Sequence, residues 1–192
     1  MGIRITLFAA EHNSLKSNLR HFSGEVGNPY AFCDRLRALS LNASTGIREI
    51  SDGYRRWWFG PVLDKIRTIW SFNKDEYESA REIFAKILQG QDCGTDDKYF
   101  NARKPGVPAF LAPYSDSDLR IGFLDTNDVE LLLTLFGELI QLEDYQFNRP
   151  EKTQGIVPDA DEWDDWVKGR IAEILTIQEL KYEQPCVVSF IG

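Results

Sequence analysis

Ile3-Arg4-Ile5-Thr6-Leu7-Phe8, near the start of the chain, alternates apolar and polar side chains and contains several β-branched residues. This pattern is typical of a β-strand that buries one face. Residues 119–124 alternate in the same way, and Cys186-Val-Val-Ser-Phe-Ile191 has the composition of a buried strand. We predict one small sheet that contains these three strands, two of which are the N- and C-terminal strands.

Helical periodicity dominates the rest of the chain. It is clearest in residues 73–90, where Asn73 and Glu76 form a capping-box-like pair and Gly90 supplies an end signal. Five further helices are predicted from their start signals, near Ser14, at Asn28-Pro29, after Gly60-Pro61, at Asp125 or Thr126, and after Pro158. The predicted fold is therefore a helix-dominated α+β fold, with about six helices packed on the small sheet.

Three segments show little periodicity. Residues 42–53 are predicted to form a loop with a brief strand at 47–50, and residues 146–157 a linker. Residues 91–118 contain three prolines, and we expect short irregular elements there, packed by aromatic side chains. The apolar content of 43%, with 12 Phe, 7 Tyr and 5 Trp, is sufficient for a sizeable core. We expect residues 1–192 to form a single compact domain.

The net charge of −8 is unevenly distributed along the chain. Residues 1–70 carry a net charge of +4, and the remaining 122 residues carry −12. An acidic chain repels polyphosphate, so nucleic acid is not expected as the main partner. The acidity is explained either by solubility or by an acidic face that binds a basic protein.

Several common classes of protein are not supported by the sequence. No apolar run is long enough for a membrane span, and the N-terminus lacks the pattern of a signal peptide. The three cysteines, Cys33, Cys93 and Cys186, are too far apart for a C-x-x-C pair. These features favour a cytoplasmic protein, with Cys33 as a small core residue.

Motifs of the well-known catalytic sites are also missing from the sequence. There is no phosphate-binding glycine loop, no nucleophile elbow and no H-E-x-x-H motif. The two histidines, His12 and His21, are nine residues apart, which does not place them on one helical face. We therefore predict no metal site and no cofactor, and leave the catalytic residues, if there are any, unassigned.

An acidic run near the C-terminus contains Asp159, Asp161, Glu162, Asp164 and Asp165. Carboxylates are common in the first turn of a helix, because the free amide groups and the positive end of the dipole stabilise them. We prefer this interpretation to a Mg²⁺ site. The same residues are candidates for an acidic contact face.

Tyr54-Arg55-Arg56-Trp57-Trp58-Phe59 is the segment with the most binding potential. Arginine beside aromatic rings can clamp a phosphate or carboxylate, stack on a base, or anchor a protein interface. The alternative is that the tryptophans belong to the core and the arginines pair with nearby acids. We take Tyr54, Arg55, Arg56, Trp57 and Trp58 as the candidate partner- or ligand-binding residues.

Protein–protein binding is the function that these features favour. In its specific form, the hypothesis is an immunity- or inhibitor-type protein that neutralises a basic partner. One alternative is an enzyme with a site of scattered carboxylates, and another is a small-ligand-binding protein with an arginine and aromatic pocket. The sequence does not predict the oligomeric state.

Overall fold

The computed structural model describes residues 3–54, 59–60, 62–63, 66–67, 74–91, 103–146 and 160–192. For Tyr54, residues 142–146 and residues 160–166, it describes the backbone alone.

Four antiparallel strands form the sheet: β1 (Arg4–Glu11), β2 (Ile47–Tyr54), β3 (Ile121–Leu124) and β4 (Pro185–Ile191). Their order is β2-β1-β4-β3, so the two terminal strands pair with each other at the centre. The prediction of an α+β fold whose sheet contains both terminal strands is confirmed. Strand β3 begins two residues later than predicted, because Leu119 has a positive φ of 52° that a strand does not tolerate.

Strand β2 differs from the prediction, since a loop with a brief strand was expected and an eight-residue strand is present. It pairs with β1 along its whole length, with a register shift that leaves Ile50 without a partner in β1. The sequence of β2 is polar because the strand lies at the edge of the sheet. The extra residue, Ile50, also shifts the alternation of side chains along β2 by one position, so the strand pattern is interrupted there.

Five α-helices have defined bounds within the described residues: α1 (His12–Leu19), α2 (Pro29–Ser40), α3 (Lys74–Leu88), α4 (Thr126–Gln146) and α5 (Ala160–Leu175). The predicted sixth helix, after Gly60-Pro61, falls largely outside the described residues. The parts of it that are described, residues 62–63 and 66–67, have helical backbone, and Val62, Leu63 and Ile66 are buried. The Asn73–Glu76 capping pair involves a residue outside the described part.

The irregular segment at 103–118 contains a short 3₁₀ turn, Ala112–Tyr114, and packs through the buried Leu111 and Tyr114. The expectation of short irregular elements is therefore confirmed for the part that is described. None of the helices, over the residues that the structure describes, combines the length and the apolar composition needed to cross a membrane.

Both faces of the sheet are covered, and alternate residues of β1 belong to different cores. Ile5, Leu7 and Ala9 pack with α3, α4 and α5 on one face. Phe8 and Ala10 pack with α1, α2 and the 103–118 segment on the other. This division follows from the period of two in a strand. Thr6 lies on the α2 side of β1 and is only 3% exposed.

Candidate functional site

An open cleft of about 370 Å³ lies on the α2 side of the sheet. One wall is a stripe of α2 that contains Tyr30, Cys33, Asp34 and Arg37. These residues are spaced i, i+3, i+4 and i+7, so they share one face of the helix. The other wall and the floor come from the sheet.

The floor of the cleft is a row of three residues on neighbouring strands. Thr6 of β1 lies between Asp52 of β2 and Phe190 of β4 in the strand register. Arg4, two residues before Thr6 on the same face of β1, and Gly192 complete the sheet side. The central residue of the row is a small threonine, and the small Cys33 of α2 also lines the cleft.

The position of α2 is determined locally at its start. The side-chain oxygen of Asn28 accepts a hydrogen bond of 3.1 Å from the backbone amide of Ala31, and Pro29 occupies the first turn. Both features were predicted from the sequence and are confirmed. Phe32 and Leu36 on the adjacent stripe are fully buried, which directs the Tyr30–Arg37 stripe toward the edge of the core.

The charged groups of the cleft form one connected network. Arg4 donates two hydrogen bonds to Asp52, from Nε to Oδ1 at 3.2 Å and from Nη2 to Oδ2 at 2.8 Å. Arg37 donates from Nε to Glu49 Oε2 at 2.9 Å. Thr6 connects the two pairs, since its hydroxyl accepts from Arg37 Nη2 and donates to Asp52 Oδ1, each at 3.4 Å. These two bonds are at the long limit of a hydrogen bond, so they are weak.

Asp34 is the most exposed carboxylate of the cleft. Its side chain is 79% exposed, and its contact with Arg37 is an ion pair of 3.6 Å between Oδ1 and Nη1. That separation is too long for a hydrogen bond. Asp34 therefore contributes negative charge and hydrogen-bond acceptors at the mouth of the cleft.

Tyr30 stands at the mouth of the cleft, and 52% of it is exposed. Its ring packs edge-on against Phe190, with 5.2 Å between the ring centroids. The guanidinium of Arg120 lies 5.2 Å from the same ring and also pairs with Asp116 and Asp118. A half-exposed aromatic residue that is held by neighbours on two sides presents a rigid apolar surface.

Cys33 is the one thiol among the residues that line the cleft. It is 2% exposed, which confirms the prediction that it is a small core residue. Burial raises the pKa of the Cys33 thiol to about 12. The raised pKa favours the protonated thiol of Cys33 at neutral pH. The hydrogen bond to Glu49 raises the pKa of Arg37, which keeps this guanidinium charged.

The binding segment predicted from the sequence begins next to this cleft. The backbone of Tyr54 pairs with Arg4, a residue of the cleft wall. Arg55, Arg56, Trp57 and Trp58 lie outside the described residues, as does the side chain of Tyr54. Their role as binding residues stays a prediction.

The acidic run lies at the start of α5, which packs on the opposite face of the sheet from α2. Asp161, Glu162, Asp164 and Asp165 fall within its first six residues, although their side chains are not described, and Asp159 lies outside the described residues. Over the described part of the chain, no three His, Cys, Asp or Glu side chains are grouped as metal ligands would be. The proposed acidic contact face stays a prediction.

Sequence reasoning did not identify the residues of the cleft. The signal that was available is the stripe of Tyr30, Asp34 and Arg37 beside the apolar stripe of α2. It does not indicate which strands face it, and Asp52 lies in a segment that was predicted to be mainly loop. Only the pairing of β2 with β1 brings Asp52 next to Thr6.

No protein-family model, no curated protein and no solved structure matches this chain.

Proposed function

We propose that this protein acts by binding another protein, and that the cleft between α2 and the sheet receives a side chain of that partner. The observation that carries the proposal is the half-exposed Tyr30 at the mouth of a charged cleft. Tyrosine and arginine are among the residues most enriched at the energetic centres of protein interfaces. Tyr30, Arg4 and Arg37 bring both types together at one site.

The size of the cleft supports this proposal. Pockets for drug-sized ligands have volumes of roughly 300–1,000 Å³. At about 370 Å³, this cleft is near the lower end of that range, and it is open to the surface. A single protruding side chain matches such a space better than a large cofactor does.

The groups of the cleft are better suited to recognition than to covalent chemistry. Cys33 is protonated at neutral pH, as its pKa of about 12 requires. Asp52 is the carboxylate that contacts the Thr6 hydroxyl, and it is already engaged by two hydrogen bonds from Arg4. The cleft residues thus include no activated nucleophile.

The net charge of −8 favours a basic partner, because complementary charge accelerates association. In its specific form, the proposal is an immunity- or inhibitor-type protein that neutralises a basic partner in the cytoplasm. The Tyr54–Trp58 segment and the acidic residues Asp159, Asp161, Glu162, Asp164 and Asp165 are proposed as additional contacts.

Small-ligand binding is the second candidate, favoured by the concave shape of the cleft and by the presence of Tyr30, Arg4 and Arg37 among its lining residues. The charged residues would then orient the ligand and the rings of Tyr30 and Phe190 would cover its apolar part. Both candidates use the same cleft, and the experiment below distinguishes them.

The test is affinity capture from native cell extract with the full chain and its Tyr30→Ala variant, followed by mass spectrometry of co-purifying proteins and small molecules. Loss of an interface residue of this kind should reduce capture of a specific protein by about tenfold. Leu41→Ala is the matched control, because Leu41 is an apolar residue at the end of the same helix, is 87% exposed and lies outside the cleft.

Equal capture of every enriched protein by the Tyr30→Ala and Leu41→Ala variants would contradict the cleft as the interface. Enrichment of a small molecule that depends on Tyr30, without a protein, would support the second candidate. The double variant Arg56→Ala with Trp58→Ala tests the adjoining segment in the same assay. Circular dichroism of each variant establishes that it is folded.

A further inference from the structure

We propose that the side chain received by the cleft is basic, an arginine or a lysine of the partner. This inference rests on the proposed function and adds the chemical class of the group that is recognised. It follows from the hydrogen bonds that the cleft already makes and from its charge.

The guanidinium groups of the cleft are engaged by the protein itself. Arg4 forms a two-point interaction with Asp52. Arg37 bonds to Glu49 and Thr6 and has Asp34 as a further ion-pair partner. An acidic side chain entering the cleft would have to compete with these carboxylates for the same donors. Such competition costs free energy, because the displaced carboxylates would be left next to the incoming charge.

The carboxylates, in contrast, keep unused acceptor positions. An ionised carboxylate can accept about four hydrogen bonds. Asp34 accepts none from the described residues, since its contact with Arg37 is 3.6 Å long. Asp52 accepts from Arg4 and, weakly, from Thr6. The hydrogen-bonding capacity that remains in the cleft therefore suits a donor, which an ammonium or a guanidinium provides.

The net charge of this network also favours a cation. Among the described residues, the lining of the cleft carries two arginines and two aspartates, and Glu49, which bonds to Arg37 from outside the lining, gives the hydrogen-bonded network one net negative charge. A cation neutralises the excess negative charge, whereas an anion doubles it.

The apolar part of the cleft fits the stem of the same side chains. Lysine and arginine bury their methylene groups against apolar surface while the charged end reaches polar groups. Tyr30 and Phe190 provide such a surface at the mouth and the floor.

The test is a titration of the isotope-labelled full chain with amino-acid analogues, followed by NMR. The probes are the N-acetyl N-methylamides of arginine, lysine, glutamate and norleucine. We expect the arginine and lysine probes to shift the backbone amide signals of Thr6, Cys33 and Asp34 with saturable binding. A dissociation constant on the order of 1 mM is expected for one side chain.

Asp34→Asn should weaken binding of the arginine probe by about threefold to tenfold, because it removes the charge of the exposed acceptor. Glu130→Gln is the matched control, since Glu130 is an exposed carboxylate on α4, across the sheet from the cleft. It should leave the binding unchanged.

The inference is wrong if the glutamate or norleucine probe binds as well as the arginine probe, or if none of the probes shifts these signals. Neither result changes the conclusion from the capture experiment with Tyr30→Ala, which tests the proposed function separately. A partner that depends on Tyr30 would then support the proposed function without a basic side chain in the cleft. If probes bind as expected but no partner depends on Tyr30, the proposed function fails instead.

Discussion

The hydroxyl of Ser189 donates a hydrogen bond of 2.7 Å to the carbonyl oxygen of Ile87, which joins β4 to the last turn of α3. Carbonyl groups at the end of a helix have no partner within the helix. The other three carbonyl groups of this turn also accept hydrogen bonds. Two of these bonds come from the backbone and side-chain amides of Gln89, and the third comes from the backbone amide of Gln91. Every carbonyl of the last turn is therefore satisfied although α3 ends in the interior.

Ser189→Ala should destabilise the protein by about 1–3 kcal/mol, because it leaves the buried carbonyl of Ile87 without a hydrogen bond. Urea unfolding followed by circular dichroism measures this change. Ser117→Ala, at an exposed serine, should change the stability by less than about 0.5 kcal/mol. Equal stabilities of the two variants would show that the Ser189 hydroxyl contributes nothing.

Gly122→Ala should also be destabilising, by about 1–3 kcal/mol. A Cβ atom at this position of β3 would overlap the carbonyl oxygens of Lys86 and Ile87 and the hydroxyl of Ser189. The end of α3 would have to move away from the sheet. Thermal unfolding of the variant measures the effect.

Gly137→Ala serves as the control for Gly122→Ala and should change the stability of the protein in the opposite direction. Gly137 lies inside α4, and an added Cβ would meet nothing within 4 Å. Alanine should stabilise this helix by about 0.5–1 kcal/mol, because glycine loses more backbone entropy on folding. Similar destabilisation by both substitutions would contradict the close approach at Gly122.

Asp125 and Asp128 form a reciprocal pair at the start of α4. Asp125 Oδ1 accepts from the amide of Asp128 at 2.9 Å, and Asp128 Oδ2 accepts from the amide of Asp125 at 3.4 Å. We expect Asp125→Ala to destabilise the protein by about 1 kcal/mol. Asp125→Ser keeps an acceptor and should recover most of the loss, as measured by urea unfolding. A serine variant no more stable than the alanine variant would show that the cap is not the cause.

Alkaline pH should destabilise the protein through Cys33 and Cys186, the two buried thiols in the described part of the chain. Burial raises the pKa of Cys33 and of Cys186 from 9.0 to about 12 in the folded state. The thiols are protonated in both states below about pH 9, so their contribution is constant there. Between about pH 9 and pH 12 the unfolded chain ionises first, and the free energy of unfolding falls as pH rises.

The measurement compares the pH dependence of urea unfolding for the natural chain and for the double variant Cys33→Ala with Cys186→Ala. The variant should be less stable at neutral pH, because it leaves cavities, but should lose less stability on going to about pH 11. Tyrosine and lysine titrate in the same range in both proteins, so the difference between the two curves isolates the thiols. Parallel curves would mean that the thiols ionise in the folded state.

Much of the fold could be predicted because its signals are local. Asn28 before Pro29 predicts the start of α2, and the Asn28 side chain forms the expected cap. The alternation of residues 3–8 predicts the position of β1, although the structure buries both faces of this strand rather than one. Strand β2 was largely missed because its polar residues and its extra residue remove the alternation, and its pairing with β1 defines it.

The candidate site was harder to predict from the sequence than the fold was, because the tertiary structure brings its residues together. Tyr30, Asp34 and Arg37 are recognisable as one stripe of a helix from their spacing. Nothing in their spacing indicates that Asp52 and Thr6 face them. Contacts between residues distant in sequence arise from strand pairing and helix packing, which a single sequence does not reveal.

By itself, the sequence determined the α+β class, the presence of both terminal strands in the sheet and the start of α2, because hydrophobic periodicity and capping act over a few neighbouring residues. The tertiary structure alone decided that β1 and β4 lie at the centre, that β2 is an edge strand, and that Arg4, Thr6 and Asp52 face α2 across a cleft. The physical reason is that a strand specifies which side chains share a face, whereas the choice of its neighbours depends on burying the whole core at once.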